Sequence, residues 1–486
     1  MALMLRHNRN FRKTPISLRL HQRAYTRSVG SRLVPSLSSQ QHPHGKFSTY
    51  ATTPGRVPNH ISENILENTD QKVPSLGVSW LDGLEWNYQY HFKQPDSPTK
   101  EPKVVEEREE GLLPTSVINK ELRKNEKTNV THKSKIPRFD TNQLASNSPI
   151  EDHHTELSND AHDAWYFGVF DGHAGKYCSQ KLANKLVHQV RHNIEKLEAN
   201  EDQDVVDLIS QSMIKTFENL DREIVWGSLG EIIINTEKAI HASLPAAVSG
   251  SCAIVGYVDT KTMNIFVANT GDSRAVIGSL GSDHKWNASE MSVDQNASNR
   301  KEREKLYSEH PGEEATVVSK ERVLGSLAPT RAFGDSRYKW SARTQLAVKE
   351  NFFPRMRSPP AHYHTPPYVT ATPEVRHRQL TGQDKFMVIA SDGLFDLLSN
   401  EEIVFLVGTY IEQKQTNNYS TTDPHPPKGK SRWAYVDDNA ATHLIRNALG
   451  GNSKKELSKM LTIQAPHSRN LRDDITVTVI FFEDSV

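Results

Sequence analysis

The chain has 486 residues, 36% of them hydrophobic, and contains 25 glycines and 25 prolines. This composition allows a sizeable core with long loops, and favours one large domain with extensions over several average domains. No run of 18 or more apolar residues occurs, which argues against a transmembrane helix.

Charge is distributed unevenly along the chain. Residues 1–62 contain no Asp or Glu but ten Arg and Lys, so the remainder carries a net charge of −10. A basic, Ser-rich and acid-poor start is typical of a mitochondrial transit peptide. We predict a transit peptide and flexible leader over residues 1–60, with the matrix favoured over the intermembrane space; a disordered basic tail is the alternative. The acidic remainder gives no support for nucleic-acid binding.

Residues 61–135 are interpreted as an N-terminal extension that is partly disordered. An aromatic cluster at 78–92 is dense enough to pack against other parts of the protein. Charge and proline dominate from Gln94 to Lys135, apart from the short segment GLLPTSVI, and predict a surface arm. The folded core is expected to begin near Ile136 and to run to residue 486.

The stretch Trp165–Gly175 is the centre of the predicted fold. Its apolar residues predict a strand that ends in Asp171, Gly172 and His173. A carboxylate, an exposed carbonyl and an imidazole at one strand end suit a hard cation beside an acid catalyst. Taken alone, however, Asp-Gly is more often only a turn after a strand.

The middle of the chain predicts helices followed by strands. Apolar spacing indicates amphipathic helices over 177–197 and 205–224 that cover one face of a sheet. Three successive strands, at 249–259, 265–271 and 272–279, predict an antiparallel meander, with Asp272 between the second and third. A charged helix follows at 298–309, with Ser298 or Asn299 as its N-cap.

The second half repeats the opening design. The strand Phe386–Ala390 is followed by Asp392 and Gly393. Asp396 comes four residues after Asp392 and can share one site with it if the chain turns helically there. Helices are predicted after Ser399 and over 439–449, and Asp473 and Asp474 introduce a last strand. Residues 414–436 are expected to form a polar loop.

Three aspartates therefore flank apolar strands, namely Asp171, Asp392 and Asp473. Further acids accompany them at 151, 152, 272 and 396. Oxygen ligands favour Mg²⁺ or Mn²⁺ over zinc, so we predict a divalent-cation site. The two cysteines, Cys178 and Cys252, lie in a helical and a strand pattern and indicate neither a disulfide framework nor a zinc site.

The motifs VFDGHAG, ANTGDSR, LAPTRAFGD, ASDGLFD and RDDITV occur here in the order found in the type 2C metal-dependent protein serine/threonine phosphatases, which the chain resembles. Segments such as NQLASNSPIEDH and YHTPPYVTATPEV are similar to the pyruvate dehydrogenase phosphatases within that family. The resemblance implies an α+β fold for residues 136–486, with two antiparallel β-sheets packed as a central sandwich and helices on both outer faces.

The resemblance also implies residue roles. By motif position, Asp171 bridges two Mg²⁺ or Mn²⁺ ions, the Gly172 carbonyl binds one, and Asp392 and Asp473 hold the other. His173 matches the general acid. The remaining implied metal ligands are Glu151 and Asp152, which act largely through metal-bound water, and Asp272, which belongs to a third, weaker site.

Asn147 departs from the wider family pattern. Many members carry an arginine there, four residues before Glu151, that grips the substrate phosphate, whereas the pyruvate dehydrogenase phosphatases share the asparagine. Phosphate affinity is then expected to depend more on the metals and less on a bidentate guanidinium.

The implied function is hydrolysis of phosphoserine or phosphothreonine in a protein by direct attack of a metal-bridging hydroxide. The implied substrate is the E1α subunit of the pyruvate dehydrogenase complex, with docking to that complex. Alternatives are other mitochondrial phosphoproteins or a catalytically dead scaffold. A P-loop is excluded at KGKS, 428–431, because Pro424 stands where its first glycine is required.

Overall fold

The computed structural model describes residues 48–50, 111–131, 134–159, 163–198, 204–230, 237–415 and 432–482, with the backbone alone at 48–50 and 237–242. The aromatic cluster at 78–92, the KGKS segment and nearly all of the predicted leader lie outside the described residues. In the described part of the chain, no helix has the length and apolarity needed to span a membrane.

Two six-stranded antiparallel sheets form the centre of the protein. In spatial order, the first sheet contains β1 (Ser48–Tyr50), β15 (Glu374–Gln379), β9 (Asn264–Thr270), β8 (Ala253–Asp259), β5 (Ala164–Phe170) and β4 (His153–Asn159). The second contains β11 (Trp286–Glu290), β10 (Arg274–Leu280), β16 (Asp384–Ala390), β17 (Ile475–Phe481), β3 (Arg138–Leu144) and β2 (Lys127–Val130). Two small sheets join β6 (Gly172–His173), β7 (Gly250–Ser251) and β14 (Phe333–Gly334), and β12 (Val318–Ser319) with β13 (Arg322–Val323).

Helices lie on the outer face of each large sheet. The described helices are Thr115–Leu122, Tyr177–Glu195, Val205–Arg222, Glu237–Val248, Arg300–Glu309, Ser336–Lys339, Ala342–Asn351, Asp392–Phe395, Asn400–Gln415, Ala440–Leu449 and Lys454–Thr462, with a π-turn at Glu223–Gly227 and a 3₁₀ turn at His467–Asn470. As predicted, Asn299 caps the charged helix and its side chain accepts a hydrogen bond from the Lys301 N–H.

Among the described residues, the hydrophobic core of the sandwich has three layers. Phe167, Ile254 and Ile389 belong to the layer between the two sheets. Helices Tyr177–Glu195 and Val205–Arg222 bury their apolar stripes against the first sheet, and Asn400–Gln415 and Ala440–Leu449 pack against the second. The predicted sandwich with helices on both outer faces is therefore confirmed.

The predicted three-stranded meander is wrong. β8 and β9 pair as a hairpin in the first sheet, but β10 pairs with β11 and β16 in the second. The chain crosses between sheets at Gly271, whose φ of 103° is readily adopted only by glycine. A Cβ there would also lie 2.3 Å from Cys252 Sγ. This crossing places Asp272 at the same end of the sandwich as Asp171.

The described fold begins before Ile136. Helix Thr115–Leu122 buries Ile118 and Leu122 in the outer core of the second sheet, and β2 extends that sheet by pairing with β3. The expected surface arm is therefore wrong for these residues. The apolar pattern of β2 was too weak to predict a strand, because β2 lies at the edge of the sheet and its side chains are mostly exposed.

Candidate metal centre and active site

Strands from both large sheets bring their acidic ends together. Asp171 follows β5 of the first sheet, while Asp392 follows β16 and Asp473 precedes β17 in the second. Burial raises the pKa of Asp171 well above its ordinary value of 3.8. Four carboxylates raise it further, those of Asp392, Asp152, Asp473 and Asp272. Sequence positions far apart thus form one acidic cluster.

The surroundings of Asp392 indicate whether this cluster suits a metal ion. Its Oδ1 is buried and finds no hydrogen-bond partner among the described residues. Burial and the carboxylates of Asp272 and Asp473 raise its pKa. An unpartnered carboxylate oxygen among other acids is costly unless a cation satisfies it. These residues therefore fit a hard divalent cation.

Among the described residues, no group of three or more His, Cys, Asp or Glu side chains is already placed to hold a metal ion. In proteins generally, Mg²⁺ retains several waters and takes only one or two carboxylates. The donor set here is oxygen only, apart from His173.

The predicted accessory acids take different positions around the cluster. Asp152 is buried and its Oδ2 accepts a hydrogen bond from the Thr476 hydroxyl at 2.7 Å. Burial raises the pKa of Asp272, while a hydrogen bond from the Cys252 thiol lowers it in part. Burial also raises the pKa of Asp396, which is close enough to contribute to the shift at Asp392.

Gly172 is required by a close approach of two backbones. A Cβ at this position would lie 2.2 Å from the Glu151 carbonyl oxygen and 2.6 Å from Ser179 Oγ. Ser179 Oγ donates to the same Glu151 carbonyl. A side chain at 172 would therefore push the Glu151 loop away from β6.

Asp474 is a site residue to which sequence reasoning assigned no role. Its carboxylate accepts hydrogen bonds from the backbone N–H groups of Ser146 at 2.5 Å, Asn147 at 2.9 Å and Glu151 at 2.9 Å. The Asn147 amide also donates to it, at 2.9 Å. Asp474 thus holds the 146–151 loop over β17, and the Asn147 side chain has a partner inside the protein. The adjacent acid pair was the only available signal.

His173 pairs with Asp335, a second residue without a predicted role. The His173 Nε2 lies 2.7 Å from Asp335 Oδ2. Burial alone would lower the pKa of His173, but the Asp335 carboxylate raises it overall. Asp335 has a left-handed φ of 48°, held by its N–H donating to the Ser249 carbonyl. Asp335 directly follows β14, so it is an acid at a strand end, like Asp171 and Asp392.

The small sheet of β6, β7 and β14 creates this pair. β7 lies between the other two strands and carries Gly250 between the two side chains. A Cβ on Gly250 would lie 2.1 Å from His173 Nε2 and 2.4 Å from Asp335 Oδ2. Only glycine leaves room for the contact.

This combination of fold and site defines a class of enzyme. The sequence model of the family Protein phosphatase 2C matches residues 134–459. The chain belongs to this family of protein serine/threonine phosphatases.

Curated relatives align over most of the chain. A protein phosphatase 2C homolog of Schizosaccharomyces pombe is 40% identical over 387 residues, covering 76% of this chain and 85% of that protein. The mitochondrial pyruvate dehydrogenase [acetyl-transferring]-phosphatase 1 of Saccharomyces cerevisiae is 35% identical, covering 77% and 74%. Human mitochondrial pyruvate dehydrogenase [acetyl-transferring]-phosphatase 2 is 34% identical, covering 75% and 82%.

Proposed function

We propose that this phosphatase removes phosphate from serine on the E1α subunit of the pyruvate dehydrogenase complex, in the mitochondrial matrix. The support is the similarity to yeast and human proteins named as mitochondrial pyruvate dehydrogenase phosphatases. A broader candidate is another mitochondrial phosphoprotein, because the name of the 40% identical S. pombe relative specifies no substrate.

The observation that carries the catalytic proposal is the buried acidic cluster around Asp171. Asp171, the Gly172 carbonyl, Asp392 and Asp473 would hold Mg²⁺ or Mn²⁺ ions. Glu151 and Asp152 would act through water and Asp272 at a weaker third position. When bound, such ions neutralise phosphoryl oxygens and make water a stronger nucleophile.

His173 would supply the proton for the leaving serine or threonine oxygen. Because Asp335 accepts the Nε2–H, the transferable proton is at Nδ1 of the same ring. The Asp335 carboxylate favours the protonated imidazole, and the pair fixes the plane of the ring. An imidazole suits this role because its ordinary pKa lies near neutral pH.

The direct test incubates the purified chain with phosphorylated pyruvate dehydrogenase complex, with and without Mg²⁺ or Mn²⁺. We expect metal-dependent loss of phosphate from the E1α serines, and none with Asp171→Asn. If E1α stays phosphorylated while other phosphoproteins lose phosphate, the substrate proposal is wrong. If no phosphoprotein is dephosphorylated under any metal condition, the chain is a scaffold.

Localisation is tested separately. Residues 1–60, fused to a fluorescent reporter, should direct it to mitochondria because the segment is basic and acid-free. The matched control replaces its arginines by glutamine. A diffuse cytosolic signal from the unaltered fusion would contradict the mitochondrial proposal.

A further inference from the structure

The segment that carries Asp335 is closed on itself by one lysine. Lys339 is the last residue of the short helix Ser336–Lys339, which directly follows Asp335. Its ammonium group donates a hydrogen bond back to the Ala332 carbonyl at 2.8 Å. Residues 332–339 therefore form a closed loop that contains Asp335.

The same ammonium group binds a carboxylate from another element. Lys339 Nζ lies 2.7 and 2.8 Å from the two carboxylate oxygens of Asp221, which lies in helix Val205–Arg222. The two side chains are only 4% and 13% exposed. Together with the Ala332 carbonyl, these oxygens provide three acceptors for an ammonium group that has three protons to donate. The loop is therefore anchored to the helical layer outside the first sheet.

Asp221 also binds the backbone next to Asp335. Its Oδ1 accepts a hydrogen bond from the Gly334 N–H at 2.9 Å. Gly334 has a φ of 67°, and a Cβ there would lie 2.2 Å from the Ser249 carbonyl oxygen. The Asp335 N–H donates to that same carbonyl at 2.9 Å. The N–H groups of two consecutive residues with left-handed φ are thus fixed by acceptors from other segments.

The backbone at Asp335 depends on such external bonds. A left-handed φ is unfavourable for a residue with a side chain and persists only where the surrounding structure holds it. A change in this backbone would move the Asp335 carboxylate, whose Oδ2 lies 2.7 Å from His173 Nε2. Because an N–H···O bond weakens beyond about 3.2 Å, a small displacement would be enough to lose the contact.

We infer that the buried pair of Asp221 and Lys339 is a positioning device for His173. The pair fixes the backbone at Gly334 and Asp335, and the Asp335 carboxylate then fixes the imidazole ring. Asp221 and Lys339 act through Asp335 and are therefore positioning residues. Their catalytic consequence rests on the proposed role of His173 as proton donor, but not on the identity of the protein substrate.

The first measurement observes the His173 ring in the full chain without metal. The protein is labelled with ¹⁵N in its histidines and treated with chelator, and the ¹⁵N chemical shift of His173 Nε2 is recorded at one fixed pH. His173→Gln identifies the signal, and Asp335→Ala gives the shift of a ring that lacks the contact. The second measurement is steady-state kinetics with Mn²⁺ on a phosphoserine peptide and on p-nitrophenyl phosphate.

Two changes to the pair are compared. The double variant Asp221→Leu with Lys339→Met replaces both charges by apolar side chains, a replacement that often leaves a protein stably folded. Asp221→Asn retains an oxygen that can accept from the Gly334 N–H and from Lys339. The control is Arg378→Met, which breaks an ion pair of 2.7 Å with the buried Asp384 at the start of β16, the opposite end of that strand from the acidic cluster. Circular dichroism checks that each variant is folded.

In the double variant we expect the His173 shift to move to the value found in Asp335→Ala. The kcat for the phosphoserine peptide should fall by up to about 100-fold, the cost of displacing a catalytic group by about 1 Å. KM should change little, because proton donation acts in the transition state, and p-nitrophenyl phosphate should be affected far less. Asp221→Asn should be intermediate, and Arg378→Met should match the wild type in both measurements.

A folded double variant with the wild-type His173 shift would overturn the inference and leave the pair with a role in stability alone. An unchanged shift in Asp335→Ala would overturn it as well. Should the double variant not fold, Asp221→Asn decides, since a wild-type shift and wild-type kinetics there would also contradict the inference.

The remaining outcomes separate the inference from the proposed function. If the His173 shift moves but both phosphate esters are hydrolysed more slowly by the same factor, the pair positions His173 and the proposed general-acid role is wrong. If the shift moves and only the peptide is slowed, while the wild type leaves E1α phosphorylated, the inference is supported and the proposed substrate alone is contradicted.

Discussion

His173 Nε2 and Asp335 Oδ2 are 2.7 Å apart although 162 residues separate them in the chain. The contact exists because β7 aligns β6 with β14, and because Gly250 leaves space between the two side chains. It fixes the imidazole that directly follows the proposed metal ligands Asp171 and Gly172 in the sequence. The pair therefore joins the motif that contains Asp171 and His173 to the segment that contains Asp335, for which the sequence predicted no role.

Removal of His173 should affect substrates according to their leaving groups. We expect His173→Ala to lower kcat for a phosphoserine peptide about 10²- to 10⁴-fold. Hydrolysis of p-nitrophenyl phosphate should change far less, because its leaving group needs little protonation. Steady-state kinetics on both substrates checks this, with Asp171→Asn as the variant that should abolish both. Equal slowing of the two substrates by His173→Ala would remove the general-acid role.

A methyl group at Gly250 should separate His173 from Asp335 without altering either residue. A Cβ at 2.1 Å from Nε2 forces the ring or the carboxylate to move. Displacement of a catalytic group by about 1 Å can cost up to about 100-fold in rate, so we expect Gly250→Ala to reduce turnover of phosphoserine peptide within that range. Gly382→Ala is the control, since a Cβ there meets nothing within 4 Å. Wild-type kinetics in Gly250→Ala would show that the pair is dispensable.

The acidic cluster should make the metal-free protein sensitive to pH. Burial and neighbouring carboxylates raise the pKa values of Asp152, Asp171 and Asp392 well above 3.8, so the folded state retains protons that the unfolded state releases. The free energy of unfolding of chelator-treated protein should therefore fall as pH rises above about 4. Urea titrations at several pH values measure this contribution.

Added Mn²⁺ should reverse the loss, since it binds the charged form of the cluster. Asp171→Asn should weaken the pH dependence in chelator, because one of the interacting acids is gone, and should also weaken the stabilisation by Mn²⁺. Stability of the metal-free wild type that is independent of pH between 4 and 7 would contradict the proposed electrostatics.

Asp474 should matter for stability more than an exposed acid does. Asp474→Ala leaves the N–H groups of Ser146, Asn147 and Glu151 without their acceptor, and we expect the free energy of unfolding to fall by about 3 kcal/mol or more. Asp438→Ala, at an exposed ion pair with Lys414, should cost less than about 1 kcal/mol. Chemical denaturation of both variants measures the difference. Equal losses would mean that the 146–151 loop does not depend on Asp474.

Local patterns predicted most elements but not their partners. The strand ending at Phe170, the amphipathic helices from Tyr177 and Val205, and the capped helix after Asn299 follow from apolar spacing and capping chemistry, which act over a few residues. The assignment of β10 to the first sheet failed because sequential strands usually pair, and only the crossing at Gly271 shows that these do not. The short helix and edge strand before Ile136 carried too few buried residues to be recognised.

The sequence by itself determined which residues lie at strand ends and what chemistry they offer: the carboxylates of Asp171, Asp392 and Asp473, the Asp-Gly turns and the imidazole of His173 are local properties of residue type and order. Only the tertiary structure decided which distant groups meet: Asp335 with His173, Asp474 with the Asn147 loop, and Arg469 with Asp473. The physical reason is that hydrogen bonds and ion pairs require contact within about 3 Å, and strand pairing across hundreds of residues sets such distances without leaving a periodic signal in the chain.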